Sequence, residues 1–235
     1  MYFGMYDPTM IILIPAIIFA LYAQAKVSRA YNRYSRVPNS TGMTGRQAAR
    51  RILDANGLGH VPIEMVAGKL SDHYDPSRDV MRLSAEVYNG TSIAAVSIAA
   101  HESGHAIQDG TSYAFLKFRN AIAPVVNLAS AASWPLIFIG LIIIWSGRNF
   151  EMGDLIFDLG VIFFLAVILF HLVTLPVEIN ASRRAVVQLI DLGIINSNEK
   201  KGARKVLSAA AMTYIAALAT AVANLVRILL IRGRD

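Results

Sequence analysis

Apolar positions gather in four long runs. TMIILIPAIIFALYAQA covers Thr9 to Ala25, and further runs span about Ala121–Trp145, Leu155–Leu175 and Val206–Ile231. Crossing a bilayer takes about 20 such residues. The first run has no basic lead-in and no convincing small-residue cleavage site after it, so it is expected to stay as an anchor. The fourth is rich in alanine (SAAAMTYIAALATAVANL). Small residues let helices approach closely, which predicts packing against the other spans, with a re-entrant or surface helix as the alternative.

Between the first two runs the pattern changes. TGMTGRQAARRILDANGLG predicts a helix with Thr44 as N-cap, an apolar stripe of Ala48, Ile52 and Leu53, and a stop at Asn56-Gly57. VPIEMV, KLSDHY and DVMRLS read as short strands, the last after the turn DPSR and expected at an edge of the sheet. Asn89-Gly90 signals a turn, and Thr91 or Ser92 can cap a helix through IAAVSIAAHESGHAIQ to Gly110. The order is helix, small sheet, helix.

Composition agrees with a membrane protein. The chain has 235 residues, 55% hydrophobic and 16% charged, against about a quarter charged in soluble domains. Without cysteine there is neither disulfide nor thiolate, so a metal would need histidine and carboxylate ligands. The net charge of +6 is concentrated: Lys26 to Arg119 holds twelve of the 22 basic residues, and Arg183 to Lys205 holds six. Four crossings with the N-terminus outside put both segments on the cytoplasmic side. Arg148, Arg232 and Arg234 fall on the other side, so the C-terminal RGRD fits less well. Lys26, Arg29, Arg33 and Arg36 share a helical face that suits an anionic leaflet. No basic stripe stands clear of the membrane, so nucleic acid is not expected as a partner.

The chemistry lies in HESGH, His101 to His105. Residues four apart stack on one helical face, so both imidazoles can point at one ion. Two histidines, one further ligand and one open position make a catalytic zinc site, and Glu102 stands on the same turn as the candidate base. The bland reading is a polar helix end with hydrogen-bonded histidines. The HxxGxxH continuation is absent, because Gln108 and Thr111 occupy those positions. Of the other glutamates, Glu151 falls across the membrane, Glu64 and Glu86 lie in or beside the sheet, and Glu199 sits in a turn that looks solvated. Glu178 follows the third run, two spans and hence the same face away. Pro176 would start its helix, with Val177, Ala181, Ala185 and Leu189 buried. Glu178 is therefore the expected third ligand. His171 is about 10 Å up the axis from Glu178, too far to share the ion. Asp109 could orient His105 or cap its helix. His73, Arg183 and Arg184 are further candidates for stabilising charge, each with an ordinary turn or headgroup alternative.

The chain resembles the YugP-like membrane zinc metallopeptidases of bacteria. The resemblance rests on YDPT, MTGRQAARRILDANGL, VAGKLSDHYDP, RLS, TSIAAVSIAAHESGHAIQ, SWPL, TLPVEINASRRA and KGARKVLSAAAMTY, in that order. It implies a multi-pass membrane peptidase with His101, His105 and Glu178 as zinc ligands and Glu102 as catalytic base. The plan is similar to that of the HtpX-like peptidases, whose ligand helix reads E-x-x-A-D. Here Ser182 stands where that pattern has aspartate, so the surroundings of the ligand differ.

The expected fold is a mainly α multi-pass membrane protein of about four transmembrane helices with a small, cytoplasmic-side, zincin-like α+β segment. Its parts are residues 1–36 (anchor and basic juxtamembrane helix), 37–120 (zincin-like segment), 121–175 (transmembrane hairpin), 176–205 (ligand helix) and 206–235 (C-terminal span). The expected function is a Zn2+ metalloendopeptidase at the cytoplasmic face, acting on a peptide or protein substrate associated with the membrane. The alternatives are an intramembrane protease, for which the Ile93–Ala100 run is too short, and a zinc-binding membrane scaffold with little turnover. Oligomeric state is left open.

Overall fold

The computed structural model describes residues 8–147 and 149–233. Arg148 and Arg234 of the charge count, and Tyr6 and Asp7 of YDPT, lie outside them. A 3-10 turn, Pro8–Ile12, leads into α1 (Leu13–Tyr34). Then follow α2 (Gly45–Ala55), β1 (Ile63–Val66), β2 (His73–Asp75), β3 (Val80–Ser84), α3 (Ala85–Asn89) and α4 (Ile93–Gly110). Three long helices complete the chain: α5 (Ala114–Ser146), α6 (Phe150–Asp191) and α7 (Lys200–Arg232). Residues group into two compact units, and α1, α5, α6 and α7 contribute to both.

The first unit comprises residues 1–22, 118–174 and 214–235. Among the described residues, four helices are long and apolar enough to cross a membrane, and only 17–28% of each apolar window is buried. Large apolar side chains such as Leu128, Ile142 and Ile162 stand exposed. In water such faces would drive association, whereas lipid suits them. Within the unit, α5 and α6 meet through glycines. A Cβ on Gly140 would lie 2.6 Å from the Phe157 nitrogen, and one on Gly160 would lie 2.8 Å from the Ile137 nitrogen. Ile137, Leu141, Phe157, Phe164 and Ile228 form the local core. Arg232 pairs with Asp154 and Asp158 and lies over the Phe157 ring. That pairing neutralises the cation at the end of α7 that charge counting found awkward.

The second unit holds residues 23–117 and 175–213. A capping box starts α2: the Thr44 hydroxyl accepts from the Gln47 N–H, and the Gln47 carboxamide oxygen accepts from the Thr44 N–H. The apolar face of α2 (Ala48, Ala49, Ile52, Leu53) is fully buried. Ser92 caps α4, accepting from the Ala95 N–H. One core joins α2, α4, α6 and α7 through Ile52, Val96, Ile107, Leu189 and Leu207. Each such buried aliphatic contributes about 1.5–3 kcal/mol.

Several sequence expectations are corrected. The strand order is β1-β3-β2, so DVMRLS (β3) is the central strand, parallel to β1 and antiparallel to β2. The strand lying at an edge beside α4 is the short β2. Asn89-Gly90, read as a turn signal, ends the short helix α3 ahead of α4. Pro176 does not start a helix: α6 runs through it for 42 residues. Glu199 is not simply solvated. It accepts from Ser40 N–H (2.7 Å), Ser40 Oγ–H (2.8 Å) and Asn196 N–H (2.8 Å), anchoring the start of α7.

The close passage of α5 and α6 yields a prediction. Gly140→Leu lowers the unfolding temperature of the detergent-solubilised chain, because overpacking costs about 1–3 kcal/mol. Ile142→Leu, on the exposed face, stays within about 0.5 kcal/mol of the parent. Thermal unfolding followed by intrinsic fluorescence measures both.

Candidate metal centre

The site is built from α4 and α6, both within the second unit at this point. HESGH occupies the C-terminal half of α4, so His101 and His105 project from one face a turn apart. Their rings meet edge to face with centroids 4.8 Å apart. Glu178 reaches them from α6. Its Oε2 lies 3.3 Å from His101 Nε2 and 3.6 Å from His105 Nε2. One ligand atom from each of the three lies within 4.8 Å of the others. The structure thus brings together the three residues chosen from sequence.

The approach depends on a residue the motif leaves unspecified. A Cβ on Gly104 would sit 2.6 Å from the Ala181 carbonyl oxygen and 3.2 Å from its Cα. Only glycine lets α4 lie this close to the α6 backbone. Glu178 is three residues before Ala181, nearly one turn, so the contact sets its distance from the histidines.

The surrounding groups fix the imidazoles. His101 Nδ1 lies 3.2 Å from Ser182 Oγ, and His105 Nδ1 lies 3.0 Å from Gln108 Oε1. With Nδ1–H donating to these oxygens, each Nε2 lone pair is turned toward Glu178. Gln108 is fully buried and oriented in turn, donating through Nε2 to Val177 O (2.8 Å) and Asn180 Oδ1 (3.0 Å). Asn180 Oδ1 also accepts from Arg184 Nε (2.9 Å). So Ser182, at the position of the HtpX-like aspartate, contacts His101 directly. Asp109 does not orient His105. It accepts from the Tyr74 hydroxyl at 3.0 Å, which also lies 2.7 Å from Asp79. Burial, then these two carboxylates, push the Tyr74 phenol well above its ordinary pKa.

Glu102 is buried, and its Oε2 accepts from the Tyr74 N–H of β2 at 3.1 Å. It stands outside the three-residue cluster, held against the edge strand. Behind it, Asp72 accepts from Ser84 N–H (2.8 Å) and Ser84 Oγ–H (3.0 Å). Burial raises the Asp72 pKa and the Glu102 charge adds to the shift, against the lowering effect of the Ser84 bonds. For His105, burial opposes protonation, but the Glu178 hydrogen bond and the Glu102 charge outweigh it and raise its pKa. His171 lies on α6 outside the cluster, and His73 is exposed with Nδ1 2.8 Å from Ser71 O. Arg183 is exposed, and Arg184 donates to Asn180.

Two imidazole nitrogens and one carboxylate oxygen, with no thiolate, are donors suited to zinc with a position left open. The family comparison agrees. A family described as "Putative neutral zinc metallopeptidase" matches residues 9–233. The chain belongs to this family. It is 48% identical over 225 residues to the "Putative membrane protease YugP" of Bacillus subtilis (strain 168), covering 94% of this chain and 96% of that protein. No solved structure matches it.

Sequence reading missed Gly104, Tyr74, Gln108 and Asp72. Gln108 carried a signal: it occupies the glycine position of the longer motif, nearly one turn after His105 and two turns after His101. Gly104→Ala should weaken zinc binding at least about tenfold with every ligand present, and Ser182→Ala should weaken it about tenfold, the range for groups that orient ligands. Competition with a chromogenic chelator measures both.

Proposed function

We propose that the chain is a membrane-embedded zinc metalloendopeptidase acting at the cytoplasmic face. The observation that carries this reading is the convergence of His101, His105 and Glu178, with Glu102 beside them but outside the cluster. His101, His105 and Glu178 would hold the ion. Bound there, zinc supplies a Lewis acid that polarises a peptide carbonyl and acidifies water.

The chain's own groups do the rest. Glu102 takes a proton from the attacking water and returns it to the leaving amine. The Tyr74 N–H holds one carboxylate oxygen of Glu102 and leaves the other for that exchange. An extended substrate pairs with the outer edge of β2, which carries Tyr74 and lies beside α4. Main-chain pairing at this edge delivers a carbonyl to the histidines without demanding a particular side chain. Burial of Glu102 and Glu178 limits competing water.

Helix length supports the placement at the membrane. At 1.5 Å per residue α6 is about 63 Å long, twice the roughly 30 Å hydrocarbon core. Its apolar stretch precedes Glu178, so the ligand-bearing half extends beyond the lipid. The concentration of Lys and Arg in residues 26–119 and 183–205 favours the cytoplasmic side for that half. Bilayer lipid and a membrane-associated peptide or protein are the partners this reading requires.

Glu102→Gln keeps the three ligands and removes the base. Purified Glu102→Gln should bind zinc as the parent does and lose at least about 100-fold in peptide-library cleavage, the usual scale of general-base catalysis. Equal zinc content with no cleavage by either protein would favour the scaffold reading.

A further inference from the structure

A groove of about 1010 Å³ runs between the C-terminal part of α6 and the first turns of α7, within the second unit. Its rim carries Arg183, Lys200, Lys201, Arg204 and Lys205 against a single acidic residue, Asp191. None of these five cations makes an ion pair among the described residues. Its floor is apolar, with Ile179, Val186, Ile190 and Leu207. Ser182 lines the groove as well, and its hydroxyl is the group 3.2 Å from His101 Nδ1. Ser182 therefore borders both the groove and the candidate centre, while His101, His105 and Glu178 themselves do not line the groove.

We propose that this groove is a subsite for one side of the substrate and selects an acidic segment with interspersed apolar residues. The inference rests on the peptidase reading and extends it to specificity. From Ile179 to Asp191 the groove is about 18 Å long, room for about five residues of extended chain. Four of the cations occupy about 7.5 Å of α7, and Arg183 stands on α6. Lys200 and Lys201 stand one turn from Arg204 and Lys205 on α7, while Arg183 lies two turns from Asp191 on α6. Five cations left without carboxylate partners create a field that draws in negative charge and rejects basic segments. The apolar floor binds alternate side chains, as an extended chain presents them. Anionic lipid is the competing occupant, and its chemistry would need the charges but neither the floor nor the link to His101.

The test uses full-length Glu102→Gln, zinc-loaded, in zwitterionic lipid nanodiscs. The probes are fluorescein-labelled peptides of about ten residues, long enough to cover the groove and the centre. One alternates glutamate with valine and leucine, a second has lysine for each glutamate, and a third has glutamine. The acidic peptide should bind at least about tenfold tighter than the glutamine peptide by anisotropy, and the lysine peptide weakest. Adding Arg204→Glu and Lys205→Glu should abolish the preference, with zinc content and unfolding temperature showing the fold intact. Equal affinity for all three peptides, or a preference that survives the charge reversal, overturns the proposal. So does a charge reversal that changes retention of anionic lipid and leaves peptide preference untouched. The two readings fail separately. Parent protein that cleaves peptides without acidic preference refutes the subsite and keeps the peptidase. Acidic peptide bound selectively but never cleaved by the parent refutes the peptidase and keeps the docking groove.

Discussion

At Gly104 the ligand helix α4 lies against the backbone of α6 with no space for a methyl group. That contact governs the metal centre. Histidines four apart on one helix provide two donors anywhere, but a third donor must arrive from another element at coordination distance. A carboxylate has a short side chain, so the two backbones must be close. The pairing of Gly104 with Ala181 permits this, and Glu178 lies nearly one turn away. Close approach through small residues recurs where α5 and α6 pass in the first unit, at Gly140 and Gly160. The same packing device that suits helices in lipid also sets the geometry of the centre.

Around this contact the polar groups form connected sets. Each imidazole is held at Nδ1, one by Ser182 and the other by Gln108, and Gln108 is fixed by the α6 backbone at Val177 and by Asn180. Buried polar groups left without partners would cost about 1–3 kcal/mol each, so these bonds also favour one packing of α4 on α6. Glu102 belongs to a separate set, tied to β2 through Tyr74. His101 is thus oriented from α6, His105 by Gln108 of α4 itself, and Glu102 from the sheet.

Much of this was readable from residue patterns because the deciding signals were local or countable. HESGH fixes two donors by helical period alone. Glu178 emerged from counting crossings, and Thr44 and Asn56-Gly57 marked α2 by capping chemistry. Pro176 misled because its missing N–H ordinarily favours a first turn, yet a long apolar helix tolerates proline inside it. Strand order was illegible: DVMRLS and KLSDHY differ little in pattern, and only tertiary packing puts the first in the centre. Asp109 looked like a partner for His105 by spacing, but Tyr74 claimed it from a distant strand. Glycine at position 104 carries no chemical signal, since its role is the absence of a side chain against a helix far away in sequence.

Zinc K-edge X-ray absorption on the loaded full-length protein addresses the central claim most directly. Two imidazole nitrogens at about 2.0–2.1 Å and carboxylate oxygen at about 2.0–2.2 Å should appear, and Glu178→Ala should remove one oxygen neighbour and leave both nitrogens. A spectrum unchanged by Glu178→Ala, or one showing fewer than two imidazoles in the parent, would contradict it.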